Sequence, residues 1–247
     1  YALSVGGLLF SVMHLGNKPN VVKAISHWRS SWLSREGVMS VIALLSVAPY
    51  AIGRIFFDTS IGWLGILGAI LCAITVFTTS MIYAQLKTVP RWSSPFTPPL
   101  VLLYMATGGA ILSSATTAAG LLCIVLGIVQ LVAWAHGDGQ FARSGATLET
   151  ATGLGRIGTV RQLEPPHSGT NYLLKEMAYE IGRKHAQKLR IISIATLSII
   201  PAAILLYANP GHIMGLIAVL FHLVGLMTSR WLFFAEAKHV VSLYYDR

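Results

Sequence analysis

The chain has 247 residues, 54% of them hydrophobic and 11% charged, with a formal charge of +9 at neutral pH. A soluble domain carries roughly a quarter of its residues as charges, so this composition excludes one. The positive balance does not point to nucleic acid, because Lys and Arg gather on the cytoplasmic side of membrane proteins, where partner docking and anionic headgroups can share them.

Several apolar runs approach the ~20 residues that cross a bilayer as a helix, and none alternates as a membrane β-barrel strand does. The expected fold is all-α: a polytopic transmembrane helix bundle forming a single membrane-anchor domain over residues 1–247. Tyr1 to Met13 reads as the exit end of a helix too short to span, so a further helix is expected upstream. Gly16 is the expected C-cap, and Asn17-Lys18-Pro19 continues the break. A second span is expected over about Gly37–Ile55, with Pro49 as a kink near its far end, and a third over Ile61 to about Tyr83. The connection Gln85–Pro99 carries Pro90, Pro95, Pro98 and Pro99, which argue against a regular helix there.

A fourth span is expected from about Leu100 to Ser114 and a fifth from Thr117 to Ala135. Residues 136–188 form a long cytoplasmic loop with an amphipathic helix in its second half. Asn171 is its expected N-cap, and Leu173, Met177, Ile181, His185 and Leu189 recur every fourth residue. The sixth span follows over Arg190–Ala208, the turn Asn209-Pro210-Gly211 reverses the chain, and the seventh covers about His212–Phe234.

The basic residues sort by loop. Lys18, Lys23, Arg29 and Arg35 lie in the first connection, Lys87 and Arg91 in the third, and Arg143, Arg156, Arg161, Lys175, Arg183, Lys184, Lys188 and Arg190 in the fifth. The even connections hold Arg54 alone. Loops alternate sides, so the first connection is expected to face the cytoplasm.

That connection carries the strongest candidate chemistry. His14 stands on its leading edge and Glu36 on its trailing edge. An imidazole titrates near neutrality, and a half-buried carboxyl is pushed toward the same range by desolvation. Such a pair at a lipid–water boundary suits quinone chemistry, which moves two protons per turnover. The other reading is that both residues simply satisfy helix ends, where the dipoles favour them. Composition and spacing do not choose between the two.

Longer motifs do. His14-Leu15-Gly16, Trp32-Leu33-Ser34-Arg35-Glu36, Tyr83-Ala84-Gln85-Leu86-Lys87-Thr88-Val89-Pro90-Arg91-Trp92 and the tail from Arg230 to Val241 resemble the dimethyl sulfoxide reductase anchor subunit (DmsC) family. Ala151 to Gly155, Leu163 to His167 and Arg183 to Ala186 are most similar to its SoeC-type members, anchors of sulfite dehydrogenase. The resemblance implies eight spans in the full chain, of which seven are visible. It also implies a haem-free anchor in the bacterial inner membrane that binds menaquinone or ubiquinone. Its partners would be an iron–sulfur electron-transfer subunit and a molybdopterin catalytic subunit, so those cofactors lie outside this chain. The roles in quinol handling fall on His14 and Glu36, while Arg35 and Tyr83 are candidates for orienting the quinone head by position. Sulfite oxidation with quinone reduction is the preferred direction; menaquinol-driven reduction of dimethyl sulfoxide is the alternative.

Other features read as structure. Trp28, Trp32, Trp92 and Trp231 suit an interfacial aromatic belt. Trp28, Arg29, Trp32, Lys87, Arg91 and Trp92 also form a candidate docking set, since interface hot spots favour Trp and Arg. Gly153-Leu154-Gly155-Arg156-Ile157-Gly158 matches a dinucleotide fingerprint in letters only, since no strand precedes it, and is expected to be a loop. His222 is mid-span and expected to be hydrogen-bonded within the bundle; His14, His136 and His239 lie near one membrane face and His212 near the other, which disfavours a haem clamped at its depth. Cys72 and Cys123, with no Cys-x-x-Cys spacing, are expected to be packing residues. A membrane transporter is the competing class, resting on His222 as a midplane polar group.

Overall fold

A computed structural model describes residues 1–13, 25–164, 166–167, 169, 179–207 and 210–245. The described chain is helical, with no strand among the described residues. Five of its helices are long and apolar enough to cross a membrane: Trp32–Phe56, Gly62–Ala84, Thr116–Asp138, Ala186–Tyr207 and His212–Ala235. We label these α2, α3, α5, α6 and α7 in turn, α1 being Ala2–Met13 and α4 the 16-residue apolar helix Thr97–Leu112. All seven expected spans are therefore helical. Their boundaries differ in ways that local chemistry explains.

The second span begins earlier than its hydropathy suggests. Ser31 is extended and its hydroxyl accepts the Ser34 N–H, an N-cap that starts α2 at Trp32. Glu36 thus lies in the second turn of a helix rather than at its end. α4 likewise starts at Thr97, before the expected Leu100, because Pro98 and Pro99 occupy the first turn, where a missing N–H costs nothing. The amphipathic helix expected after Pro166 falls mostly on residues outside the described set. Its described remainder is a five-residue helix, Glu180–Lys184, followed by α6.

The chain forms two compact units, Tyr1–Ile82 and Tyr83–Arg247. In the first, α2 and α3 approach closely. A Cβ on Gly68 would collide with Val47, and one on Gly65 would press on the Tyr50 ring. Small residues at such a seam let two apolar helices pack backbone to side chain, which drives association where no hydrophobic effect separates helix from lipid. The turn between them holds Asp58 at φ 45°, its carboxylate 3.2 Å from Arg54.

In the second unit α4, α5, α6 and α7 close a ring, each packing on the next and α7 returning to α4. Its core runs from Ile111, Ala119, Cys123, Ala202, Leu205 and Ala218 to Leu100, Tyr104, Leu126 and Leu197. The backbones of α6 and α7 meet where a Cβ on Gly225 would overlap Leu197. Here α6 loosens into a π-helical turn, Ala195–Ile199, just before Pro201. Proline has no N–H to offer the carbonyl four residues back, that of Leu197. His222 Nδ1 lies 2.9 Å from that oxygen and donates to it. The midspan histidine is therefore hydrogen-bonded within the bundle, as expected, and its partner is a carbonyl that proline strands.

Candidate functional site

Glu36 projects from the second turn of α2 and is half-buried. The Thr79 hydroxyl on α3 stands 2.7 Å from its Oε1 and 3.0 Å from the carbonyl of Thr75. One turn before Glu36, the Trp32 indole meets the Phe77 ring edge to face, with centroids 6.2 Å apart. The carboxyl is thus set between two helices beside aromatic surface, with one hydroxyl as its hydrogen-bond partner among the described residues.

Arg35, although adjacent, is committed elsewhere. Its Nε donates to the Trp28 carbonyl at 2.9 Å and its Nη2 to that of Arg29 at 2.7 Å, while the guanidinium lies over the Trp32 ring at 4.2 Å. Arg35 therefore ties the turn 27–30 down onto α2. This leaves the Trp28 ring 53% exposed, with Arg29 above it at 5.6 Å. His14 lies outside the described residues.

The other candidates belong to the second unit. Tyr83 sits edge-on to Trp92, Phe233 and Phe234 at 5.4–5.7 Å, with the Arg230 guanidinium 5.5 Å from its ring. Trp92, a candidate docking indole, is largely enclosed. It is 9% exposed, stacks on Phe233, and donates its indole N–H to the Phe233 carbonyl at 2.7 Å. Arg91 is also consumed internally, bonding Asp138 at 2.9 Å and Glu236 at 2.6 Å. Of the candidates in this unit, Lys87 alone is exposed.

Arg91 is one corner of a box that sequence reading missed. Arg190 closes it, bonding the same Asp138 and Glu236. Two cations and two carboxylates cancel, and both arginine side chains are largely enclosed, at 13% and 15% exposed. The signal was available: in a bundle of antiparallel helices, the start of α4, the end of α5, the start of α6 and the end of α7 share one face. Opposite charges at those four ends can pair. A second missed cluster joins the buried Tyr104, Gln130 and Ser229: the Tyr104 hydroxyl donates to the Gln130 carbonyl oxygen and lies 2.7 Å from Ser229 Oγ.

Near the tail, His239 packs edge-on to Trp92 at 5.3 Å. Burial, reinforced by the positive charge of Arg183, holds its imidazole below the ordinary histidine range. Arg183 in turn donates to the carbonyls of Ala235 and Ala237, capping the end of α7. Gly153 takes a left-handed conformation, φ 71°, after the five-residue helix Leu148–Thr152, and Leu154–Arg156 is a single 3-10 turn. The glycine-rich segment is a loop, as expected.

Among known proteins, the family model described as "DMSO reductase anchor subunit (DmsC)" matches residues 1–236. The C subunit of sulfite dehydrogenase from Allochromatium vinosum is 28% identical over 99% of this chain and 83% of its own length. No solved structure matches.

Proposed function

Because this chain belongs to the DMSO reductase anchor subunit (DmsC) family, we propose that it anchors a molybdopterin oxidoreductase in the bacterial inner membrane and exchanges electrons and protons with quinone. Electrons pass through a partner iron–sulfur subunit to or from a molybdopterin catalytic subunit. Quinone binds at the His14–Glu36 connection, on the cytoplasmic side to which the Lys and Arg distribution assigns it. The observation that carries the quinone part is the half-buried Glu36 carboxyl, partnered by one hydroxyl beside the Trp32–Phe77 pair.

The chemistry asked of the chain is limited. A quinol head against this aromatic surface gives up a proton to the Glu36 carboxylate, and a quinone being reduced takes one from the acid. His14 serves the second proton, since an imidazole changes charge near neutral pH. Arg35 contributes by fixing the turn above Glu36. Tyr83 is built into the aromatic cluster of the second unit and remains a candidate for orienting the quinone head. The exposed Trp28, Arg29 and Lys87 are offered to the partner subunit.

The similarity to the sulfite dehydrogenase of Allochromatium vinosum supports sulfite oxidation with quinone reduction as the physiological direction. The family description supports a second reading, reduction of dimethyl sulfoxide or a related oxide by quinol. Purifying the complex and assaying it with sulfite and with dimethyl sulfoxide separates them. In either direction, His14→Ala and Glu36→Gln are expected to abolish quinone turnover while assembly and dye-linked activity of the catalytic subunit persist. Unchanged quinone turnover in both variants removes these residues from the site.

A further inference from the structure

The Thr79 hydroxyl has two acceptors and one proton. Its Oγ1 lies 2.7 Å from Glu36 Oε1 and 3.0 Å from the Thr75 carbonyl one turn back on α3. A hydroxyl donates a single hydrogen bond but accepts two. It can serve the carboxylate or the helix carbonyl as donor, not both at full strength. Back-bonding of threonine to the carbonyl four residues earlier is a common resting arrangement. What is uncommon here is that the competing acceptor is a half-buried carboxyl on another helix, 43 residues away.

We propose that Thr79 is a two-state positioning residue that follows the protonation of Glu36. With Glu36 ionised, the hydroxyl donates to Oε1. When Glu36 takes a proton, the acid O–H becomes the donor, Thr79 Oγ1 accepts it, and the threonine proton turns to the Thr75 carbonyl. No heavy atom has to move, and the Thr79 hydroxyl keeps a partner in either state. A carboxyl that loads and unloads protons in a half-buried site otherwise faces a penalty in one state, because the same neighbour cannot satisfy a carboxylate and an acid. The rotating hydroxyl removes that conflict.

The surroundings leave this role to Thr79. On α2, the neighbouring cation Arg35 is held by the Trp28 and Arg29 carbonyls and by the Trp32 ring. As far as Ile82, α3 has Cys72 as its sole titratable side chain, two turns from Thr79. Among the described residues no cation pairs with Glu36.

The role of this switch in turnover rests on Glu36 being a proton-handling group, so the experiment separates the two claims. Thr79→Val removes the hydroxyl at constant shape, and Thr79→Ser keeps it; both are made in the full chain, expressed with its partner subunits. In Thr79→Val the Glu36-dependent limb of the quinone-turnover pH profile is expected to shift from its wild-type position, because the carboxylate loses its donor. Thr79→Ser is expected to restore the wild-type profile. Infrared difference spectra provide a readout independent of turnover: the acid carbonyl band absent in Glu36→Gln should shift to higher frequency in Thr79→Val and return in Thr79→Ser. A Thr79→Val protein with the wild-type pH profile and an unshifted band, while Glu36→Gln is inactive, overturns the switch and leaves the quinone site standing. Full turnover in Glu36→Gln overturns the quinone reading and the switch with it.

Discussion

Two titratable residues show how environment decides what an ionisable side chain does. Glu36 lies between two apolar helices with a hydroxyl as its partner. Glu236 carries the same functional group but sits against Arg91 and Arg190. His239 gives a case with a definite sign. Its pKa is held below the ordinary ~6.5 by burial and by Arg183. Between the lowered value and ~6.5 the unfolded chain binds more protons than the folded one, so acidification through that window favours unfolding. The contribution is absent above the ordinary histidine range and is fully felt only below the lowered pKa. Thermal unfolding in detergent should therefore show a midpoint that falls as pH drops below about 6.5. The fall should be smaller in His239→Gln; equal falls in both proteins would assign the acid sensitivity elsewhere.

Among elements, the helices of the second unit are joined by close backbone approach at one depth and by charge at one end. At Gly225 there is no room for a methyl group against the Leu197 backbone. Gly225→Ala should lower stability by about 1–3 kcal/mol, the usual range for overpacking, read as an earlier thermal midpoint in detergent. The box of Arg91, Arg190, Asp138 and Glu236 closes the end where four helix termini meet. Removing one partner leaves an enclosed guanidinium uncompensated. Glu236→Ala should cost roughly 3 kcal/mol or more, while exchange of exposed Asp58 for Asn changes the midpoint little. If Glu236→Ala unfolds at the wild-type temperature, the box is ornament rather than closure.

The whole molecule is a multi-pass membrane protein of an anchor family, and its proposed work depends on holding a soluble partner beside a quinone. Of the six candidate docking residues, Trp92 and Arg91 are spent inside the second unit, whereas Trp28 and Arg29 are exposed around the turn that Arg35 ties down. A truncated Trp–Arg hot spot commonly costs more than 1 kcal/mol of binding, and the pair together about tenfold or more in affinity. Trp28→Ala with Arg29→Glu should therefore deplete the co-purifying iron–sulfur subunit while the anchor remains in the membrane. Undiminished recovery of that subunit would place the interface elsewhere.

Helical segments, fold class and family were legible in the residues themselves, because hydropathy and helix length are local quantities and a motif such as Tyr83 to Trp92 is read in order along the chain. The loop around Gly153 and the bundle role of His222 were legible for the same reason. The start of α2 was misplaced by five residues, since Ser31 outranks hydropathy as a start signal and puts Glu36 inside the helix. What only the tertiary structure decided is which polar groups meet: Thr79 with Glu36 across 43 positions, Arg91 with Glu236 across 145, and His222 with the carbonyl stranded by Pro201. A lone hydroxyl or carboxyl at a span end carries no mark of its partner. The pairing comes from the packing of small residues at helix seams, which brings distant turns to the same depth, and that depth decides which polar groups a carboxyl meets.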